Sequence, residues 1–276
     1  MTGTVSDGSG HGWPLYAQIR VPGTPVAAYT SPVTGAYRIT LPTGPSGTSY
    51  RLDVSAQYPG YRASATTVHL GTAGAQRNIG LKVDPLSCTA PGYRPAYHGY
   101  REDFNSGTRP AGWTVINAPG TLPREGWVFD NPHHLRNYTG GSGGFAVADA
   151  LNTVGTLSTV LTTPVINMSG DTAPVLRFKQ DASLNDVDEN FTTIDVSTDG
   201  GHTWSQVAIN YLSVPGPDTV LVPLPQAAGQ SRVQVRFRLN DELSSWELDD
   251  VFLGDLGCQP AAGGLVVGQV RDHNTG

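Results

Sequence analysis

Short runs in which apolar and polar residues alternate recur along the whole chain, and no stretch carries apolar residues at helical spacing. A period of two marks a half-buried strand. In the first part of the chain it predicts a short strand within residues 2–10. Further strands follow at Ala17–Val21, Ala27–Thr30, Gly35–Leu41, Tyr50–Gln57, Ala65–Leu70 and Gln76–Val83. Turn residues separate them: Pro22-Gly23, Pro32, Thr34-Gly35, Pro42 to Gly47, and Pro59-Gly60. Strands this short and this regularly spaced predict a small β-sandwich over residues 1–83. Residues 84–100, with Pro85, Pro91, Gly92, Pro95 and Gly99, read as a linker.

The pattern resumes after the linker. A glycine-rich turn, Thr139 to Gly144, leads into Phe145–Asp149. Strands are then predicted at Ser158–Leu161, Val175–Gln180, Phe191–Ser197, Thr219–Leu224, Val233–Leu239 and Trp246–Leu253. The last of these carries adjacent carboxylates, Asp249 and Asp250, in its middle. Alternation sends one towards the sandwich or its rim and the other away. A carboxylate turned inward is costly unless it is paired, hydrogen-bonded or bound to a cation.

Composition agrees with an all-β chain. There are 34 glycines and 21 prolines in 276 residues, and only 14% of residues are charged. A net charge of −6 and no basic cluster argue against a nucleic-acid partner. No run approaches the roughly 18 apolar residues of a membrane helix. Low lysine and two cysteines, Cys88 and Cys258, bracketing one segment fit a secreted, extracellular monomer with one disulfide. Met1 directly precedes a strand-like run, so any leader is expected to have been removed upstream. Gly268-Gln269-Val270-Arg271-Asp272 repeats the form of Gly3-Thr4-Val5-Ser6-Asp7. Residues 259–276 are therefore expected to be a linker and the first strand of a second copy of the first unit, continuing past Gly276.

The first unit resembles the carboxypeptidase regulatory-like domain, a transthyretin-like or immunoglobulin-like sandwich. The residues that carry the likeness are Gly3 to Asp7, Thr34-Gly35-Ala36-Tyr37, Tyr50 to Val54, and Tyr58-Pro59-Gly60-Tyr61. The second, over residues 101–258, resembles the larger jelly-roll group of MAM and cleaved-adhesin domains. Its matches are Glu102 to Phe104, Pro110 to Trp113, the hairpin Ser197 to Trp204, and Asp249 to Val251. With Cys88 to Tyr93 and Gly257-Cys258, the arrangement is similar to the C-terminal accessory region of secreted bacterial subtilisin-like serine peptidases. That resemblance implies a non-catalytic segment with a peptidase domain in cis. It would act as a spacer or bind an extracellular protein or polysaccharide. A carbohydrate-binding or adhesin module is the alternative.

The jelly-roll resemblance also implies a structural calcium ion where the first and last strands meet. Glu102 or Asp103 and Asp249 or Asp250 are the candidate ligands, with Asp149 a further one. Hard cations take oxygen ligands of this kind. Trp113, Trp127, Tyr211 and Trp246 are candidate sugar-stacking rings, although tryptophans in such a domain are usually part of the core. Other motifs read as architecture. Asp199-Gly200 supplies a hairpin turn, His133-His134 a solvated loop, and Gly140 to Gly144 lacks the residues of a phosphate loop. Asp7, His11 and Ser49 echo a serine-peptidase triad in letters only, because Ser49 runs into a strand with no orienting scaffold. The sequons at Asn137, Asn167 and Asn190 matter only in a glycosylating host.

Overall fold

The structure is a computed structural model describing residues 1–121, 124–149, 157–184, 190–241 and 244–268. The described residues are all-β apart from one 3-10 turn at Pro225–Ala227. Contacts divide them into two compact units. One is Met1–Ala96 with the described part of Leu256–Gly276, and the other is Tyr97–Asp255.

The first unit is a sandwich of two sheets. Its strands are β1 (Thr2–Asp7), β2 (Ala17–Arg20), β3 (Ala27–Tyr29), β4 (Ala36–Arg38), β5 (Thr48–Ala56), β6 (Ser64–Leu70) and β7 (Ile79–Leu81). One sheet runs β4-β1-β7 and the other β3-β2-β5-β6. Alternation places Val5, Ile19, Leu52, Val54 and Leu81 in the space between them, all essentially inaccessible. Two motif glycines are explained by close backbone approach. A Cβ on Gly3 would sit 1.8 Å from the Arg77 carbonyl oxygen, and one on Gly35 would sit 2.2 Å from that of Val5.

Asp7 is a charged residue buried in this unit, 4% exposed. Its Oδ2 accepts the N–H groups of Gly10, His11 and Gly12 and the Tyr93 hydroxyl, while Oδ1 accepts the Ser9 N–H. Burial opposes the charged form. The Tyr93 hydroxyl and the N–H groups of Gly12, Ser9 and His11 outweigh it and hold the carboxyl below the usual range. His11 continues the network by stacking on Trp13 and bonding the Gly92 carbonyl at 2.8 Å.

Cys88 and Cys258 are disulfide-bonded, with Cα atoms 5.6 Å apart and a sequence separation of 170. Both belong to the first unit, and the whole of the second lies in the loop they close. In the chain-entropy picture a loop of that length contributes about 4–5 kcal/mol through the unfolded state. Val83, Ala90 and Tyr93 form a small cluster against the two cysteines.

The chain passes between the units within β8 (Tyr93–Glu102) and again within β17 (Ser245–Pro260). Residues 93–100 were expected as linker, but they form most of β8, which pairs with β17. Pro95 and Gly99 obscure the strand in the sequence. An edge strand tolerates such a proline, and Gly99 allows the close approach that a Cβ would block, 2.2 Å from the Leu253 carbonyl oxygen. Gly254 does not end β17, which runs on to Pro260.

Between these strands lie β9 (Thr114–Asn117), β10 (Ala146–Asp149), β11 (Leu157–Thr162), β12 (Pro174–Ser183), β13 (Phe191–Ser197), β14 (Ser205–Asn210), β15 (Val214–Pro223) and β16 (Gln234–Asp241). One sheet runs β10-β17-β12-β15 with β8 on β17, and the other β14-β13-β16-β11-β9. Phe178 from the first sheet meets Phe237 from the second edge to face at 5.3 Å, and Trp246 adds a third ring at 5.9 Å from Phe237. Burying each ring contributes about 1.5–3 kcal/mol. Of the apparent repeat Gly268–Asp272, residues 269–272 lie outside the described residues.

The Asp7 network yields a stability prediction. Asp7→Ala leaves four N–H groups and the buried Tyr93 hydroxyl without their acceptor and is expected to destabilise the first unit by about 2–4 kcal/mol. Urea unfolding measures this, and a loss under about 1 kcal/mol contradicts the assignment. Because the folded carboxyl is held low, its contribution is present at neutral pH and is lost as pH falls through the acid range.

Candidate functional site

The closing strand β17 decides where the candidate carboxylates go. Trp246 and Leu248 face the core between the sheets, so Glu247 and Asp249 take the outer face. The register then breaks: Arg177 opposes Phe252 but Lys179 opposes Asp249, leaving one extra residue on β17. That residue is accommodated at Asp250, whose φ is +49°. Beyond this bulge the core positions become Val251 and Leu253, and Phe252 is turned to the outer face opposite Arg177.

Asp249 is fully buried, but beneath a covering loop and not between the sheets. Its Oδ2 accepts the Asn137 amide at 3.1 Å and its Oδ1 the Asp250 N–H at 2.7 Å. Gly141 lies so close that a Cβ there would stand 1.8 Å from Oδ2. Burial pushes the carboxyl up to about 6, against the Asn137 and Asp250 hydrogen bonds. Asp250 takes a different course and forms an ion pair with Lys179 at 2.7 Å.

Glu247 lies two residues before Asp249 on the same face, opposite Val147 of β10 and Asp181 of β12. It is 2% exposed and accepts the Tyr138 N–H at 2.9 Å. Burial pushes its carboxyl up to about 7; the Tyr138 bond acts downward, and the charges of Asp181 and Asp149 act upward. Asp149 is also buried, with His133 Nδ1 2.5 Å from its Oδ2. His133 therefore anchors the covering loop, where the sequence suggested a solvated one.

Glu102 and Asp103 are turn formers at the end of β8. Glu102 Oε1 accepts the Phe104 N–H and Asp103 Oδ1 the Asn105 N–H. With Asp250 they line one cleft of about 400 Å³, shared with Tyr97, Arg101, Arg177 and Phe252. The five candidate calcium ligands thus lie in three settings, and among the described residues no three Asp, Glu, His or Cys side chains gather as a metal group. The cleft carries two guanidinium groups, and the Lys179 ammonium already neutralises Asp250, which disfavours a cation there. Asp249 differs in that both of its hydrogen-bond donors, the Asn137 amide and the Asp250 N–H, are neutral.

Three of the four candidate rings are core residues. Trp113, Trp127 and Trp246 are at most 3% exposed. Trp113 donates to the Tyr100 hydroxyl and Trp246 to Gln180 Oε1. Tyr211 is the exception, 59% exposed and edge-on to Phe191. Trp204 packs under Arg236 at the Asp199 hairpin, where Asp199 accepts from Ser197, His202 and Thr203. Ser49 faces His69 across β5 and β6 at 3.4 Å, on the exposed side of the sheet, while His11 is held by Gly92. The triad letters therefore do not meet. Arg101 and Arg177 went unnoticed in the sequence. Outward positions on alternating strands were the available signal, but the register that unites them is tertiary.

Glu247 gives a pH prediction. An ordinary Glu titrates at 4.5 and folded Glu247 at about 7, so the folded state holds the extra proton between them. Stability should fall as pH rises across that interval. Glu247→Gln removes the loss. In chelator, the variant is expected to match the wild type near pH 4 and to exceed it by up to about 3 kcal/mol near pH 8. Parallel pH profiles of urea unfolding for the two proteins refute the assignment.

No family model matches the sequence, and no curated protein matches it. Among solved structures, the chain is similar to the K1 cleaved adhesin domain of Lys-gingipain from Porphyromonas gingivalis W83. Identity is 20%, with 60% of this chain and 99% of that one covered and a TM-score of 0.41. The K3 cleaved adhesin domain of the same protein gives 20% identity, coverage of 59% and 98%, and a TM-score of 0.42. TmCBM61 in complex with β-1,4-galactotriose gives 11% identity, coverage of 57% and 94%, and a TM-score of 0.36.

Proposed function

We propose that this chain is a non-catalytic accessory segment of a secreted enzyme, acting as a monomer that spaces domains or docks them on an extracellular protein or polysaccharide. The sequence resemblance supplies the parent, a subtilisin-like serine peptidase with its catalytic domain in cis. One observation carries the spacer reading: Trp113, Trp127 and Trp246 are committed to the core and offer no stacking platform at the surface. The acidic motif residues support it. Asp7 and Asp199 hold turns, and Asp149 holds a loop through His133. Extracellular placement is consistent with the disulfide. No helix among the described residues is long and apolar enough to cross a membrane.

A carbohydrate-binding or adhesin role is the second reading, favoured by a different observation. Ile209 in β14 and Tyr211 and Leu212 just after it are 40%, 59% and 66% exposed. Beside them is a cleft of about 250 Å³ lined by Ile209, Val214, Asp218 and Val220.

Calcium belongs to this proposal as a structural ion. Asp249 would hold it with oxygens of the covering loop around Asn137 and Gly141. Bound there, it would compensate the buried charge and fasten the loop to β17. EDTA is then expected to lower the melting temperature by several degrees, with calcium restoring it, and Asp249→Asn to abolish the difference. An EDTA-insensitive melting curve overturns the calcium assignment. A panel of polysaccharides and unfolded protein substrates, assayed with and without chelator, separates the functions. Absent or millimolar glycan binding supports the spacer, and micromolar binding to one polysaccharide supports the second reading.

A further inference from the structure

We propose that the cleft between Arg101 and Arg177 is a binding site for a carboxylate-bearing saccharide, a uronate unit of an acidic polysaccharide. It deepens the second reading above and rests on it. The site is a product of the bulge in β17. By shifting the alternation at Asp250, the bulge sets Phe252 on the outer face opposite Arg177. Strand β8 supplies the rest of the wall. The Tyr97 ring stands edge-on to Phe252 at 5.3 Å, and the Arg101 guanidinium lies 4.0 Å from the Tyr97 ring centre.

These two arginines are set apart by sharing one cleft. Arg51, Arg62, Arg124 and Arg236 each pair with a carboxylate. Among the described residues Arg101 and Arg177 have no carboxylate partner, although Glu102, Asp103 and Asp250 line the same cleft. Glu102 and Asp103 accept backbone N–H groups in their turns and Asp250 pairs with Lys179, so none of the three is bonded to either guanidinium, although their charges still face the recess. Two guanidinium groups facing one recess, in a protein of net charge −6, form a site for a planar anion. Arginine meets a carboxylate with two parallel N–H donors and is less strongly hydrated than lysine.

The remaining lining selects the rest of the ligand. Three carboxylates around the recess disfavour a densely charged group such as a polyphosphate, so the unit seated in it carries a single charge. Asp103 is exposed and keeps Oδ2 outside its turn, available to accept from a hydroxyl. Tyr97, 38% exposed, offers an apolar surface next to these polar groups. One carboxylate, several hydroxyl donors and an apolar ring face are the features of a uronate. A recess of about 400 Å³ has the size of a small-ligand pocket.

The test uses the 276-residue chain in EDTA, with calorimetry against polygalacturonate oligomers and their fully methyl-esterified counterparts. Binding of the acid form, at least tenfold tighter than the ester, is expected. Arg101→Gln and Arg177→Gln should each weaken it by tenfold or more at an unchanged melting temperature, and Arg177→Lys should recover part of the loss. Equal affinity for acid and ester, no binding to polygalacturonate or alginate, or full binding by both Gln variants overturns the site. Neutral polysaccharides and a basic peptide run in parallel. If the chain binds either of these but not polygalacturonate, and both Gln variants bind it as the wild type does, the uronate site falls and the binding-module reading survives. If the wild type binds nothing in the panel, both fall and the spacer stands.

Discussion

A β-strand presents alternate side chains to opposite faces, and β17 keeps that rule only as far as Asp249. One additional residue at Asp250 inverts the parity, so even-numbered core positions before it become odd-numbered ones after it. Without the inversion Asp250 and Phe252 would follow Trp246 and Leu248 into the space between the sheets. A charged group would then need a partner among Phe178, Phe237 and their neighbours, where there is none of opposite sign. With it, the second half of the strand buries Val251 and Leu253 and leaves Asp250 to Lys179. The outer face of the sheet, with its cleft and its covered carboxylates, follows from this displacement.

Covering that outer face has a cost. Glu247, Asp249 and Asp149 are all at most 2% exposed beneath a loop that contributes mainly neutral donors. Ionised carboxylates in such surroundings are unfavourable, which is why the Glu247 and Asp249 carboxyls titrate high. The loop offsets part of this through the Tyr138 N–H, the Asn137 amide and the His133 ring. A bound cation would offset more. The first unit uses the opposite arrangement. Asp7 is surrounded by four N–H groups and a hydroxyl, enough to stabilise its charge despite burial. A buried acid can therefore be either a stable structural anchor or a stored electrostatic cost, depending on how many donors the backbone turns towards it.

Positions that carry family-like motifs mostly serve the backbone. Gly3 and Gly35 are small because carbonyl groups pass where a Cβ would be. Asp199 holds its hairpin with side-chain and backbone bonds from Thr203. Asn105 ties the turn after β8 to Gly144. The cleft on the outer face mixes the two classes, with Glu102, Asp103 and Asp250 from the motifs and Arg101 and Arg177 from outside them.

The sequence alone determined the strand class and many of the strands, because the period of two is local. Phe191–Ser197 is β13 as predicted, and Ala17–Val21 and Ala65–Leu70 agree with β2 and β6 to within a residue. It determined the disulfide too, since two cysteines allow one intramolecular pairing. Strand β8 was hidden because Pro95 and Gly99 are turn residues by composition and strand residues only beside β17. Which tryptophans are core, which of Asp249 and Asp250 is buried, and which arginines share a cleft were decided by tertiary structure. Each depends on inter-strand register and on the loop folded over the sheet, and neither is a property of neighbouring residues in the chain.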